Sequence, residues 1–327
     1  MGNRVSSHLR FLAIFVLAAA ALVVPTGATA ATVVNGDFET GTFSGWQLLN
    51  PDGGGGPEED SWYVYSGTNP PGPTIIETVA PPPGGNFAAV TSQGGPGSHY
   101  LYQDVALEPF WSHQLSLVAY YRSNGQLFTP SPASLDPGTA DNQQYRIDVM
   151  NSAAPIESVN PADILATVFA TKTGDPQELG PTTLTADLTP FAGQVVRLRF
   201  VEVDNVGYFA ASTDNVSILS TPPSNLVALG KPALNKKKGT AKLPVTVPGP
   251  GTLTIADVKT TKKRVKAKTV TATAAGTLNL PVKPTKSART TLKDKGKLKL
   301  KVAVTFTPTG GFAAAVTRKL TLKLAPR

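Results

Sequence analysis

Apolar and polar residues alternate along most of this 327-residue chain. In residues 195–203, for example, Val196, Leu198 and Phe200 alternate with two arginines. A period of two places successive side chains on opposite faces of a β-strand, so each such segment is predicted to be a strand with one buried face. Gly and Pro cluster between the alternating segments, as is typical of turns. The pattern predicts an all-β protein.

Two of the alternating segments bound the first two thirds of the chain. Near the start, Val34 and Phe38 are apolar, and Asp37 and Glu39 flank Phe38 on the opposite side of a predicted strand. Residues 214–218 alternate in the same way. We expect these first and last strands to lie side by side and to close one β-sandwich.

Charge divides the chain at Pro222-Pro223. Residues 31–225 hold 20 acidic and 5 basic residues, a net charge of −15, whereas residues 226–327 hold 2 acidic and 23 basic residues, a net charge of +21. We therefore predict a first domain at 31–221, a proline-stiffened linker at 222–225 and a basic second domain at 226–327. About seven short Lys/Thr/Val-rich strands in the second domain fit a smaller immunoglobulin-like sandwich.

The first 30 residues have the pattern of a secretion signal. Arg4 and Arg10 precede an apolar run, and Ala28-Thr29-Ala30 matches a cleavage site. The sequence has no cysteine, so an exported chain must be held by core burial, with or without a metal ion, rather than by disulfides. We expect a secreted protein that is either released or held at the cell wall by noncovalent contacts, and whose mature chain has no membrane span.

Two motifs resemble a known family. Residues 35–41 read Asn-Gly-Asp-Phe-Glu-Thr-Gly, Gly45-Trp46 follow, and residues 214–218 read Asp-Asn-Val-Ser-Ile. The pair resembles the opening and closing motifs of carbohydrate-binding modules of the galactose-binding-like jelly-roll class, over about residues 32–219. The basic segment resembles β-domains appended to secreted proteins of actinobacteria, which have no firmly assigned activity.

The resemblance implies a structural Ca²⁺ ion where the first and last strands meet. Its expected ligands are Glu39 and Asp214, with Asp37 as a substitute and main-chain oxygens completing the six to eight that calcium takes. The alternative is that Glu39 and Asp214 are solvated carboxylates flanking a core phenylalanine. The resemblance also implies that Trp46 is buried, because the modules bury a tryptophan at this position.

Other aromatic residues are candidates for stacking on a sugar, because a pyranose presents an apolar face that suits a flat ring. We predict a glycan site that includes Trp62, Tyr63, Trp111 and Tyr208. The alternative for each of them is a place in the sandwich core.

Catalytic patterns are sparse. The chain has no H-E-x-x-H, no G-x-S-x-G and no nucleophilic cysteine. Glu202 and Asp204 share one face of a predicted strand, where we expect a solvated edge rather than a glycosidase pair, whose carboxylates must face each other across a sugar. We expect a non-enzymatic protein. A polysaccharide-cleaving enzyme and an adhesive protein that binds other proteins are the alternatives.

Lysines alternate with apolar residues in the basic segment. Lys297, Lys299 and Lys301 form the outer face of one predicted strand. Lysine suits nonspecific attraction to a polyanion, and few aromatics are present to stack on bases, so we predict an anionic cell-wall polymer as partner and no nucleic acid. The alternative is a spacer that docks on its acidic neighbour.

Overall fold

The structure is a computed structural model that describes residues 31–51, 61–69, 78–92, 96–125, 127–130, 134–138 and 141–326. The predicted signal at residues 1–30 lies outside the described residues. In the part that is described, no helix has the length and hydropathy needed to cross a membrane.

In the first two thirds of the chain, the described residues form ten strands. They are β1 (Gln47–Leu49), β2 (Ser61–Tyr65), β3 (Ala88–Ser92), β4 (Gly97–Ala106), β5 (Ser112–Ser123), β6 (Gln144–Asn151), β7 (Ile164–Ala170), β8 (Glu178–Asp187), β9 (Val195–Asp204) and β10 (Phe209–Thr221). A short 3-10 helix, Thr189–Phe191, lies between β8 and β9.

These strands form two five-stranded antiparallel sheets, in the orders β1-β4-β9-β6-β7 and β2-β3-β10-β5-β8. The core lies between the sheets and includes Leu101, Leu117, Ile147, Phe200 and Phe209. Each of these residues belongs to a strand on which buried and more exposed positions alternate or which is buried on both faces. The architecture confirms the predicted all-β sandwich.

The opening segment is not a strand, contrary to the sequence prediction. Asn35, Phe38 and Gly41 all have positive φ (51°, 54° and 68°), which turns the chain instead of extending it. The segment nevertheless lies beside the closing strand, because the Val216 N–H donates to the Gly36 carbonyl oxygen (2.8 Å). A Cβ on Gly36 would lie 1.9 Å from the Val216 carbonyl oxygen, so only glycine permits this contact. A packed turn therefore brings the two motifs together.

Eight strands and one helix occupy the rest of the chain. They are β11 (Ala228–Leu229), β12 (Ala233–Asn235), β13 (Thr240–Val247), β14 (Gly251–Asp257), β15 (Lys268–Ala272), β16 (Gly276–Val282), α1 (Lys286–Lys295), β17 (Lys297–Pro308) and β18 (Ala314–Lys323). One sheet joins β11, β12 and β16 to β13, and the other has the order β15-β14-β17-β18. A second core, separate from the first, packs between them.

Helix α1 was missed by the strand-only interpretation of the basic segment. Thr285 caps its start through the Ala288 N–H, Ala288 and Leu292 are buried four residues apart, and Gly296 ends it with φ 64°. The all-β class holds for the other elements of this segment. Its assignment to the immunoglobulin-like class stays a prediction.

Candidate functional site

The three predicted calcium ligands lie at one junction. Both oxygens of Glu39 are engaged by the 86–87 segment: Oε1 accepts from the backbone N–H groups of Asn86 (2.7 Å) and Phe87 (2.8 Å), and Oε2 accepts from the Asn86 side chain (3.3 Å). The two backbone bonds hold the pKa of Glu39 below its usual value. A Cβ on Gly85 would lie 2.2 Å from Glu39 Oε1, so the carboxylate lies directly against the backbone.

Asp214 is fully buried at the same junction. Its carboxylate accepts from the N–H groups of Asn215 (2.7 Å) and Gly84 (3.2 Å). Burial, together with the nearby charges of Glu39 and Asp37, raises the pKa of Asp214 to about 6, although its backbone hydrogen bonds act in the opposite direction. None of the three carboxylates forms an ion pair with a described residue.

The three side chains do not enclose one point by themselves. In the described ranges, no group of three or more His, Cys, Asp or Glu side chains is close enough to hold a metal ion. A calcium ion here would need main-chain oxygens for most of its shell, as the resemblance implies. The donor set fits calcium in kind, since it consists of hard oxygens around a buried carboxylate without a counter-ion.

Two of the four predicted sugar-stacking residues are buried, and for them the prediction is wrong. Trp62 is 2% exposed, and its Nε1 donates to the His99 carbonyl oxygen inside the first core (3.1 Å). Trp111 is 6% exposed, and its Nε1 donates to the carbonyl oxygen of Gly310 (2.8 Å). The Trp111 ring also contacts Phe312 edge-on, with centroids 5.8 Å apart. Trp111 therefore joins the two sandwiches and is not available as a platform.

Trp46 is buried as expected, stacked on Phe38 with centroids 5.5 Å apart.

The other two predicted residues, Tyr63 and Tyr208, are partly exposed and belong to one cluster. They pack against a cluster that includes the buried residues Tyr65, Val90 and Tyr120, on the outer face of the sheet β2-β3-β10-β5-β8. The hydroxyls of Tyr65 and Tyr120 are 2.6 Å apart, and burial raises the pKa of Tyr65 to about 12. We call these four tyrosines the tyrosine face.

The pairing of strands explains why the tyrosines meet. Tyr63 on β2 is opposite Val90 on β3, Val90 is opposite Ser212 on β10, and Ser212 is opposite Tyr120 on β5. Residues opposite each other share a face of the sheet. Arg122, on the same face, donates to Thr78 (2.9 Å to Oγ1), which holds the 78–80 segment beside the cluster.

Glu202 and Asp204 are buried, not solvated as predicted. Glu202 is opposite His99 on one side and Tyr145 on the other, and its inward direction places it inside the sandwich. Asp204 Oδ1 accepts the N–H groups of Val206 (3.1 Å) and Gly207 (3.2 Å), which orders the turn into β10. Burial lowers the pKa of His99 to about 4. No pattern in the sequence indicated this polar interior.

The three predicted polyanion-binding lysines are exposed on β17 as expected, and β18 adds two more beside them. Lys297 is opposite Lys323, and Lys301 is opposite Lys319. Sequence reasoning missed the contribution of β18 because the pairing of the two strands is needed to see it.

A cationic cavity of about 500 Å³ lies elsewhere on the second sandwich. Lys237, Lys238, Arg289 and Lys293 line it, and Leu292 and Leu324 supply apolar surface.

No family model matches the chain, and no curated protein matches it. The solved structures that are similar over long stretches include the following three. The carbohydrate-binding module TmCBM61, in complex with β-1,4-galactotriose, is 13% identical, with 57% of this chain and 97% of that chain covered and a TM-score of 0.34. The K3 cleaved adhesin domain of Lys-gingipain from Porphyromonas gingivalis is 16% identical, with 57% and 97% covered and a TM-score of 0.35. The adhesin domain of Epf from Streptococcus pyogenes is 11% identical, with 90% and 97% covered and a TM-score of 0.31. These structural neighbours are carbohydrate-binding and adhesin domains, and at such TM-scores the likeness assigns no ligand to this chain.

Proposed function

We propose that the chain is a secreted, non-catalytic protein whose first sandwich binds a glycan through the tyrosine face and whose second sandwich associates with an anionic polymer of the cell envelope. The observation that carries the glycan part is the convergence of Tyr63 and Tyr208 on one sheet face. Both rings are partly exposed, and both pack against the cluster that contains the buried residues Tyr65 and Tyr120. A rigid, partly exposed aromatic surface next to an arginine suits both the apolar face and the hydroxyls of a sugar.

The interior position of Glu202 and Asp204 supports a binding role over a cleaving one. Glycosidase carboxylates must reach opposite sides of a bound sugar. Both side chains are no more than 1% exposed, and Asp204 is engaged with a turn.

Calcium is proposed as a structural ion at the junction of Asp37, Glu39 and Asp214. Bound there, it would neutralise the buried charge of Asp214 and join the opening turn to β10. If free calcium exceeds its dissociation constant 100- to 1,000-fold, the fold gains about 3–4 kcal/mol. The unfolding midpoint of the mature chain with calcium, compared with chelator, tests this. Asp214→Asn should remove the difference, and an identical midpoint in both conditions removes calcium from the proposal.

Glycan binding is tested with the mature chain on a glycan array, in calcium and in chelator. Tyr63→Ala and Tyr208→Ala should each reduce retention at least tenfold with little change in unfolding midpoint. Tyr102→Ala is the matched control, because Tyr102 is partly buried on the other sheet under Arg197 (4.9 Å from the ring centroid). Retention that is unchanged in both tyrosine variants would contradict the site, and self-association without saturable glycan binding would favour an adhesive protein.

Association with a polyanion is tested by sedimenting the mature chain with purified anionic wall material across a salt series. Attraction between exposed charges decays over a Debye length of about 8 Å at physiological salt, so binding should fall steeply as salt is raised. Failure to sediment at low salt would leave the basic sandwich as a spacer.

A further inference from the structure

The outer face of the sheet β15-β14-β17-β18 has an unusually narrow composition. Every outward position that the strand pairing defines is Lys, Thr or Ala. The lysines are Lys297, Lys299, Lys301, Lys319 and Lys323, the threonines are Thr252, Thr254, Thr269, Thr271, Thr305, Thr307, Thr317 and Thr321, and the alanines are Ala256, Ala303 and Ala315. We call this surface the lysine–threonine face.

The lysines occupy one end of the face and repel one another. Lys297 and Lys323 are directly opposite, as are Lys301 and Lys319, and like charges in such pairs destabilise a sheet. No acidic side chain lies among them. Of the two acids in residues 222–326, Asp257 accepts the backbone N–H groups of Lys259 and Arg264, and Asp294 lies on α1. The lysines therefore lack counter-charges on their own face of the sheet, since Asp257, at the end of β14, is paired with Val302 and not with a lysine.

Six of the eight threonines occupy the other end as a regular array, whereas Thr321 is opposite Lys299 and Thr317 is opposite Ala303. Thr271, Thr252 and Thr307 form one row across three strands, and Thr269, Thr254 and Thr305 form the next. Rows along a strand are about 7 Å apart, and neighbours within a row about 5 Å apart. Hydroxyls both donate and accept, and those of Thr254 and Thr269 are 3.1 Å apart. The array presents hydroxyl groups on one face of the sheet without an aromatic ring.

We propose that the lysine–threonine face binds a linear anionic polysaccharide laid along the strands. Its acidic groups pair with the lysines, and its hydroxyls bond to the threonine array. Strand β17 alone carries both ends of the face, from Lys297 to Thr307, so one extended polymer reaches both. This rests on the proposed association of the second sandwich with a polyanion, and it adds that the polymer is rich in hydroxyls.

Two polyanions separate charge from hydroxyl recognition: polygalacturonate, which carries carboxylates and hydroxyls, and inorganic polyphosphate, which carries charge without hydroxyls. The mature chain with Tyr63→Ala and Tyr208→Ala serves as background, so that the tyrosine face adds no signal. In that background, Thr252→Val, Thr254→Val and Thr305→Val together should weaken polygalacturonate binding about tenfold and leave polyphosphate binding unchanged. Valine keeps the branched shape that strands favour, so the fold should be retained.

Two control variants locate the effect. Thr246→Val with Thr277→Val removes a hydroxyl pair (2.7 Å apart) from the other sheet and should change neither affinity. Lys299→Ala with Lys301→Ala should weaken binding of both polymers at least tenfold. Lys237→Ala with Lys238→Ala, at the cationic cavity, should weaken their binding much less.

The outcomes are distinct. Unchanged polygalacturonate binding in the folded threonine variant overturns the inference and leaves the polyanion proposal in place. Equal weakening by the two lysine variants overturns the location, because charge anywhere on the domain would then suffice. If the parent chain binds neither polymer, the polyanion part of the proposed function fails, and the inference with it.

Discussion

The two sandwiches treat charge in opposite ways. The first buries it: Arg146, Asp148, Arg199, Glu202 and Asp214 are all nearly or fully inaccessible to solvent. The second, described throughout residues 222–326, has no buried charged side chain. Its core is aliphatic apart from Phe306, and its charges lie on the surface.

This difference indicates where each sandwich gains specificity. A buried charge is tolerated only with well-placed partners, so each one fixes the position of a loop. In the first sandwich, Arg199 donates to the Ser158 carbonyl oxygen (2.8 Å), and Asp214 accepts from Gly84. In the second sandwich the core is almost entirely aliphatic. Such a core supports the sheet without constraining which residues lie on its outer face.

The largest expected effect comes from breaking the buried network of the first sandwich. Asp148 binds Arg199 (2.6 Å) and Arg146 (3.2 Å) with all three side chains nearly inaccessible. Asp148→Ala leaves two buried guanidinium groups without their carboxylate, and we expect a loss of about 3–5 kcal/mol in the free energy of unfolding. Urea unfolding measures it.

The control is the more exposed pair of the same sheet, Asp104 with Arg197 (2.7 Å). Asp104→Ala should cost about 0.2–1 kcal/mol. Similar losses in both variants would show that burial of charge does not distinguish the two sites.

The next effect is a pH dependence that comes from buried Asp214 in the first sandwich. The pKa of Asp214 is raised from 3.8 to about 6, so folding favours its protonated form. Without calcium, its contribution to stability should be fully present below pH 3.8 and lost as pH rises through about 6, a change of about 1–3 kcal/mol.

The measured quantity is the difference in unfolding free energy between the parent chain and Asp214→Asn, from pH 3 to pH 8 in chelator. The difference isolates Asp214 from His99, whose lowered pKa works in the opposite direction: its stability is present above pH 6.5 and lost as pH falls towards 4. A pH-independent difference would contradict the raised pKa.

A smaller effect should report the contact between the sandwiches. The rings of Trp111 and Phe312 meet edge-on, an arrangement that adds about 0.5–1.5 kcal/mol beyond the area it buries. A double-mutant cycle with Trp111→Ala and Phe312→Ala should give a coupling energy in that range. A coupling near zero would mean that the sandwiches do not rest on each other through this pair.

Strands were predictable because alternation is a local property of the sequence, and β9, β10 and β17 lie where it placed them. The opening segment was not, because its turns depend on a positive φ at Phe38, a conformation rare for a bulky residue. Helix α1 carried readable signals in Thr285, Ala288, Leu292 and Gly296, but its lysines resembled those of the flanking strands.

The candidate site was predictable in part. Alternation on β2 separates Trp62 from Tyr63, but with aromatics on both faces it does not say which face is the core. The burial of Trp111 depends on the position of the second sandwich, which the local sequence does not encode. Tyr63 and Tyr208 were predicted from the sequence as two separate candidates for sugar stacking. Only the order of the strands in the sheet shows that they belong to one cluster.

The smallest effect concerns the lysine–threonine face. If Lys301 and Lys319 repel each other across the strands, Lys319→Glu converts a repulsive pair into an attractive one. We expect a gain of about 0.2–1 kcal/mol at low salt that fades as salt screens the charges. The same substitution should weaken binding of the mature chain to polygalacturonate, because it places a negative charge among the lysines.

Two substitutions control for this change. Lys319→Gln removes the repulsion without adding a partner and should fall between the parent and Lys319→Glu in both stability and binding. Arg318→Glu makes a similar change of charge on the same strand but at a position opposite Val302 rather than a lysine, so it should not give the same gain in stability.

If Lys319→Glu stabilises the fold and strengthens polymer binding, the face is not an anion-binding surface. If stability falls at low salt, the lysines do not repel one another as their pairing implies. We expect a gain in stability together with a loss of binding. That result would show that the second sandwich keeps an arrangement of charge that is unfavourable for stability but favourable for binding a partner.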